Sequence, residues 1–508
     1  MSLLGIDVGT TGCKVVAFNP EGKILGLAYQ EYPLQFPGKP GWVELDSDEV
    51  WQKVKWCIQT VAAKTKSDPI KAMAVSSQGE GVTPLDEKGK ALYPSIVSFD
   101  SRTAEFIPWW LKRISAYQLF QETGMTPEPL FTLNKILWFK KYQQKLYRQT
   151  WKFLCFEDLV NYRLTGIPAI DYSLAARMMC FDINNSRWSE KMLNLAGIDE
   201  DKLALLYPSG KIIGTILPSI ARDLGLSKNT LVVSGGHDQP CGALGAGVIQ
   251  PGITMDAIGT VECITPVFQK PVINRTMLAN RFCCYPHVVP NQYVTVAYTF
   301  TGGSLLRWYR DQFGEKESEI AINTGEDVYD MLVNQIPENP SSLFILPHFT
   351  TTGTPYFDSN SRGAILGLTL STTKPEVTRA ILEGISYEIR LNIELLAQSG
   401  IPVREIRAIG GGAKSATWLQ LKADLYGRKI RALNVSEAAS LGAAMLAGWA
   451  IGEYKSLPEA VTQTVKINRT FSPKPKNKKI YNQNFKIYQQ IYPLLKDINH
   501  QIAAHDRK

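Results

Sequence analysis

The chain has 508 residues, 44% of them hydrophobic and 20% charged; this ordinary globular composition excludes a collagen-like or wholly disordered protein and, at this length, calls for more than one core. The net charge of +8 is scattered except for Lys474, Lys476, Lys478 and Lys479, which read as a solvated tail, so no nucleic-acid partner is expected. No run of about 20 apolar residues offers a membrane span, and Met1-Ser2-Leu3-Leu4-Gly5-Ile6-Asp7 carries neither a basic leader nor an apolar signal core, so the expected location is the cytoplasm.

Residues 3–8 are apolar up to an acid and predict a strand ending near Asp7. Gly9-Thr10-Thr11-Gly12 turns the chain, and Lys14–Phe18 and Ile24–Tyr29 follow as strands of a meander. Val50, Val54, Ile58 and Val61 recur at helical spacing. A helix is therefore expected from Asp46 to about Lys64, capped by Asp46 or Ser47. Ile70–Ser76 reads as a buried strand, and residues 105–230 are mostly helical in pattern. Leu231–Ser234 predicts a short strand running into Gly235-Gly236-His237-Asp238. The next segment, Gly242 to Gly247, has sides so small that another backbone must lie against it.

The second half repeats this plan. Ile253–Ile258 is a strand ending in Gly259-Thr260, Ile406–Ile409 is a strand ending in Gly410-Gly411-Gly412, and Leu441 to Gly448 is again a small-residue helix. Ile249-Gln250-Pro251-Gly252 interrupts the pattern between the halves. The expectation is an α/β fold made by a diverged duplication. Its lobes are residues 1–248 and 249–455, with a C-terminal tail over 456–508 that is basic and Tyr-rich and packs a terminal helix on the surface. The eight cysteines form no C-x-x-C pair and no zinc-spaced cluster, so free thiols are expected.

Three glycine-rich strand ends carry the candidate chemistry. In Asp7-x-Gly9-Thr10-Thr11, the glycine lets backbone approach a ligand, and N–H groups with two hydroxyls can surround a phosphate. Asp7 can hold a hydrated Mg²⁺ travelling with that phosphate. A plain hairpin with a polar tip explains the same residues. Gly259-Thr260 offers the same chemistry from the other half, and Gly410-Gly411-Gly412-Ala413 gives a flat group such as adenine bare backbone to lie against. Two lookalikes fail. Gly411 to Ser415 lacks two glycines of a P-loop, and Arg222-Asp223-Leu224 lacks the His and the Asn of a protein-kinase catalytic loop.

Together these segments resemble the FGGY family of carbohydrate kinases, in its xylulokinase-like form, on the actin/hexokinase/Hsp70-type ATPase fold. The matching segments include Gly5 to Thr11, Gly41-Trp42-Val43-Glu44-Leu45-Asp46, Tyr162 to Gly166 with Asp171-Tyr172-Ser173, and Gly235 to Gln239. Gly259-Thr260, Arg362 to Leu370 with Arg379 to Gly384, and Gly410 to Ser415 complete them. The resemblance implies two actin-like, ribonuclease H-like lobes with a nucleotide cleft between them, and ATP with Mg²⁺ as co-substrate and cofactor. It also implies Asp238 as catalytic base and Asp7 as the metal residue. Gly9, Thr10, Thr11, Lys14, Gly259, Thr260, Gly302, Gly411 and Gly412 are implied on the nucleotide side.

On the acceptor side the resemblance points to Gln78, Glu80, Asp100 and Gln239. Here the chain departs from its relatives. Glycerol kinases have an Arg where Gly79 stands and a Tyr where Leu130 stands; xylulokinases have a Met-His pair at Gly79-Glu80, and a Trp is usual at Ser98. The expectation is a pocket wider than a triol needs, and a pentulose as acceptor. Tetritols, pentitols, deoxy-ketoses and glycerol stay open, as do a non-catalytic actin-like ATPase and a sugar sensor. His237 is read as structural. The partners expected are a sugar or polyol and ATP, with a homodimer left open.

Overall fold

The computed structural model describes residues 1–505. It contains two mixed sheets, each built around a hairpin and two parallel strands. In the first half, β1 (Ser2–Val8), β2 (Gly12–Phe18) and β3 (Ile24–Glu31) form the expected meander. Helix α1 (Ser47–Lys64) follows, capped by the Asp46 carboxylate, which accepts from the Asp48 and Glu49 amides. Then come β4 (Ile70–Ser77), β5 (Ile212–Thr215), β6 (Leu231–His237) and α2 (Asp238–Gly245). The sheet order is β5-β6-β4-β1-β2-β3, with β1, β4 and β6 parallel.

The second half repeats that topology. It comprises β7 (Ile253–Ile258), β8 (Glu262–Phe268), β9 (Tyr285–Pro286), β10 (Tyr293–Val294), β11 (Glu405–Ile409), α3 (Ala416–Tyr426), β12 (Lys429–Leu433), α4 (Ala438–Ala450) and β13 (Ile467–Phe471). The order is β9-β10-β8-β7-β11-β12-β13, with Ala297–Thr299 also pairing to β8. Hairpin β7–β8 followed by parallel β11 and β12 matches hairpin β1–β2 followed by parallel β4 and β6.

The backbone expected against the first small-residue helix is that of the second: α2 and α4 lie against each other. A Cβ on Gly245 of α2 would sit 1.9 Å from the Ala438 carbonyl oxygen, and one on Gly442 of α4 would sit 1.9 Å from that of Cys241. Helix α4 also crosses β1, where a Cβ on Gly5 would meet the Ser440 carbonyl. Glycine is therefore required at these crossings, and the crossings tie the second half to the first sheet.

Two features differ from the sequence reading. The C-terminal segment is not an appended tail: β13 extends the second sheet beside β12. Helix α5 (Pro475–His505) buries Tyr481, Phe485, Tyr488 and Ile491 in the second core. The second difference is that residues 283–285 cross back to the first half, where Cys283 and Tyr285 join its core. All eight cysteines are free thiols. Among the described residues no helix is long and apolar enough to cross a membrane.

Candidate active site

Asp7 lies at the end of β1, opposite Lys14 of β2 and Ser76 of β4. Ser76 Oγ donates to its Oδ1 at 3.0 Å. Burial pushes the Asp7 carboxyl up to about 6, against the Ser76 hydrogen bond and the Lys14 charge, with Glu437 adding repulsion. The turn beyond it is tight: the Gly9 amide donates to the Gly12 carbonyl at 3.0 Å. Gln78 closes on this turn, its amide nitrogen donating to the Gly9 carbonyl at 3.0 Å and its Oε1 accepting from Thr10 Oγ1 at 3.2 Å. Gln78, expected on the acceptor side, braces the Gly9-Thr10-Thr11 turn. Lys14 is tied by a 2.6 Å ion pair to Glu437, just ahead of α4.

The second hairpin and the glycine run after β11 enclose a cavity of ≈ 350 Å³ lined by Gly259, Thr260, Arg307, Gly411, Gly412 and Trp418, among others. Gly411 would project a Cβ into open space, whereas Gly412 is pressed against Ile258 and Trp418. Gly410 has φ +87° with Ile258 backbone beneath it, a position only glycine tolerates well. Gly302 does not line the cavity. It packs against the second hairpin, with Val261 backbone 2.8 Å from a Cβ, and Gly303 lines the wall instead. Arg307 Nη2 donates to Thr260 Oγ1 at 3.4 Å.

Asp238 opens α2 with 32% of its side chain exposed. Burial, with Asp7 and Glu80 as neighbouring charges, pushes its carboxyl up to about 8. Gln239 beside it accepts from Thr265 Oγ1 of β8 at 3.2 Å, joining the halves. Glu80 is also near Asp238, but it is not an unpaired acceptor. Arg177 grips its carboxylate, with Nε at 2.5 Å. The Glu80 backbone has φ +62°, and its carbonyl accepts from Lys135 Nζ at 2.6 Å and Thr132 Oγ1 at 3.2 Å. A strained non-glycine residue held by buried donors is characteristic of a functional site.

Asp100 is a correction. Its Oδ1 accepts from Arg102 N and Nε, and its Oδ2 from Arg102 Nη2 at 2.8 Å and Val43 N at 2.6 Å. With its side chain wholly buried, it has nothing left for a ligand and instead anchors Arg102, which also pairs with Glu44. The width expected from Gly79 is not free either. A Cβ there would lie 2.9 Å from His237 Nε2, so the imidazole fills that space.

Sequence reasoning missed Arg177, which grips Glu80; Glu437, which holds Lys14; and Tyr285, whose hydroxyl lies 3.2 Å from His237 Nδ1. Arg177 stands only four residues beyond the quoted Asp171-Tyr172-Ser173, and a lone Arg after that motif was the available signal. Tyr285 and Glu437 reach the site only through the folded topology.

The family model for the FGGY family of carbohydrate kinases matches in two parts, its N-terminal domain over residues 2–245 and its C-terminal domain over 257–451. The chain is 30% identical over 499 residues to a xylulose kinase of Bacillus subtilis (strain 168), covering 98% of each protein. It is 29% identical over 512 residues to a gluconokinase of the same strain, covering 99% of this chain and 98% of that one. Among solved structures, a ligand-bound xylulose kinase from Lactobacillus acidophilus superposes with a TM-score of 0.88 at 25% identity, covering 97% of this chain and 98% of that one.

Proposed function

We propose that this chain, which belongs to the FGGY family of carbohydrate kinases and is an ATP-dependent sugar kinase of actin-like fold, takes a pentulose as its acceptor. Its likeness to xylulose kinases over the full length supports that acceptor class. The observation that carries the reading is the acceptor wall. The charges of Glu80 and Arg177 act on Asp238, and Gln239 follows it in α2; each hydroxyl of a bound acceptor left unpaired when the site closes costs about 1–3 kcal/mol. A five-carbon polyhydroxyl chain is long enough to use the remaining hydrogen-bonding capacity of this wall along its length; a three-carbon triol engages less of it.

The residues divide the work as follows. The cavity walled by Gly411, Gly412 and Trp418 takes the adenosine. The hairpins at Gly9-Thr10-Thr11 and Gly259-Thr260 turn amides and hydroxyls toward the phosphates. The acceptor oxygen attacks the γ-phosphorus, the bond to the β-phosphate oxygen breaks, and ADP leaves with that electron pair. Asp238 takes the proton of the attacking hydroxyl. The transition state is loose, so alignment supplies much of the acceleration.

Asp7 fits a hydrated Mg²⁺: it is one carboxylate beside the phosphate hairpin, with one oxygen engaged by Ser76. Among the described residues no group of three or more His, Cys, Asp or Glu forms a metal cage. That donor set suits an ion carried in on phosphates and held by one or two carboxylates. Such an ion neutralises charge on the transferring group. The reading is tested by measuring ADP release over a panel of pentuloses, pentitols, tetritols, gluconate and glycerol. A pentulose is expected to give the highest kcat/KM; a higher value for glycerol would refute the acceptor assignment and leave the kinase assignment standing.

A further inference from the structure

The FGGY-type site described above uses Asp238 but gives no part to the buried imidazole beside it. His237 Nε2 lies 3.2 Å from Asp238 Oδ1, and its Nδ1 lies 3.2 Å from the hydroxyl of Tyr285. The ring is almost inaccessible, with 8% of the side chain exposed. Its backbone is fixed as well, the His237 amide donating to Ser173 Oγ at 2.9 Å. Tyr285 is fully buried and stands edge-on to the ring at 5.7 Å between centroids. Gly79 supplies the room: any side chain there would collide with the imidazole.

We propose that Tyr285 and His237 form a positioning relay that orients the Asp238 carboxylate for the attacking hydroxyl, an inference that rests on the reading of Asp238 as the base. The hydrogen-bonding capacities fix how it works. A neutral imidazole has one donor and one acceptor nitrogen. Burial and the neighbouring Arg177 charge hold the ring neutral, well below the usual histidine range. To accept a proton, Asp238 must be ionised and can then only accept hydrogen bonds. His237 must therefore carry its proton on Nε2 and, by a small turn of the ring, bring it into line with Asp238 Oδ1, which is in ion-pair contact at 3.2 Å but outside hydrogen-bond alignment. That leaves Nδ1 as an acceptor, and the Tyr285 hydroxyl is the donor in reach. The relay occupies Oδ1 and turns Oδ2 to the acceptor hydroxyl.

The arrangement spans both halves of the chain. Tyr285 belongs to β9 of the second sheet, while His237 and Asp238 belong to the end of β6 and the start of α2. The charged and titratable groups acting on Asp238 are Asp7, Glu80 and Arg177, with the Cys263 thiol on β8 nearby. Among the described residues the His237 ring is the one basic side chain in ion-pair contact with its carboxylate, at 3.2 Å.

His237→Ala, His237→Gln and Tyr285→Phe test the relay. A base displaced by about 1 Å loses on the order of 10²-fold in rate. His237→Ala is accordingly expected to lower kcat by about 10–100-fold with KM for ATP nearly unchanged. His237→Gln, whose amide Nε2–H can take the place of the ring donor, is expected to recover most of that loss. Tyr285→Phe is expected to fall between them. Nitrogen-15 spectra of the intact protein, with five histidines to assign, are expected to show His237 protonated on Nε2 above neutral pH. A wild-type kcat in His237→Ala, no advantage of Gln over Ala, or a His237 protonated on Nδ1 would each overturn the relay, and the spectra decide if the variants do not fold. Asp238→Ala run in parallel separates the two levels: an active Asp238→Ala enzyme refutes the base itself, whereas an inactive one beside a wild-type-like His237→Ala refutes only the relay.

Discussion

Replacing Gly442 by alanine probes the joint between the two halves with a single methyl group. The added Cβ would lie 1.9 Å from the Cys241 carbonyl oxygen, whereas ordinary contact begins at 3.4 Å. That oxygen is backbone in the middle of α2, so no rotamer change relieves the clash and the helices must part. Overpacking of this kind costs about 1–3 kcal/mol. The consequence for activity is larger than for stability, because Asp238 is the first residue of α2. If the helix relaxes by about 1 Å at its head, the loss in kcat is on the order of 10²-fold. Thermal melting followed by steady-state kinetics with saturating ATP and sugar is the assay. The expected result is a folded enzyme with a lower Tm and a kcat depressed by about two orders of magnitude. A variant with wild-type Tm and kcat would refute the claim that α2 and α4 touch backbone to backbone.

Asp7→Asn removes the negative partner proposed for the metal and is expected to raise the Mg²⁺ concentration needed for half-maximal rate and to lower the maximal rate; an unchanged Mg²⁺ titration would make Asp7 a strand-end residue only. Glu80→Gln removes one of the charges that raise the Asp238 carboxyl. With Asp238 as the proposed base, the ionised carboxylate is the active form, so rate is expected to be lost as pH falls through the folded pKa. The variant's acid limb in log kcat/KM against pH is therefore expected to move to lower pH. The same substitution leaves Arg177 without its carboxylate, and losing one partner of a buried pair costs about 3–5 kcal/mol. Chemical denaturation should show a loss approaching that range, reduced by the amide's remaining hydrogen bond.

The parts of this molecule written in local pattern could be read from the sequence. The β1–β2 hairpin, the Asp46-capped α1 and the strands before each glycine run depend on neighbouring residues, and they formed where periodicity and turn chemistry put them. That a backbone must lie against α2 was legible from its small residues; that the backbone belongs to α4 was not. Asp238 was legible as an acid at a strand end. Pairing between distant segments was not. Nothing in Asp100-Ser101-Arg102 says that the arginine folds back on the aspartate and consumes its lone pairs, nor does Gly79 announce that an imidazole 158 positions later fills its place. Strand β13 was hidden for another reason: Ile467–Phe471 is an exposed edge strand with an almost wholly solvent-facing pattern, so it lacks the apolar alternation by which strands are found.

The most direct test of the account is Asp238→Ala, measured for sugar phosphorylation and, separately, for binding of a non-hydrolysable ATP analogue. Loss of a positioned base typically costs about 10²–10⁴-fold. The prediction is turnover reduced by at least about 10²-fold with nucleotide affinity nearly intact. Turnover within a few-fold of wild type, or equal loss of both properties, would contradict the assignment of Asp238 as the base that takes the proton of the attacking hydroxyl.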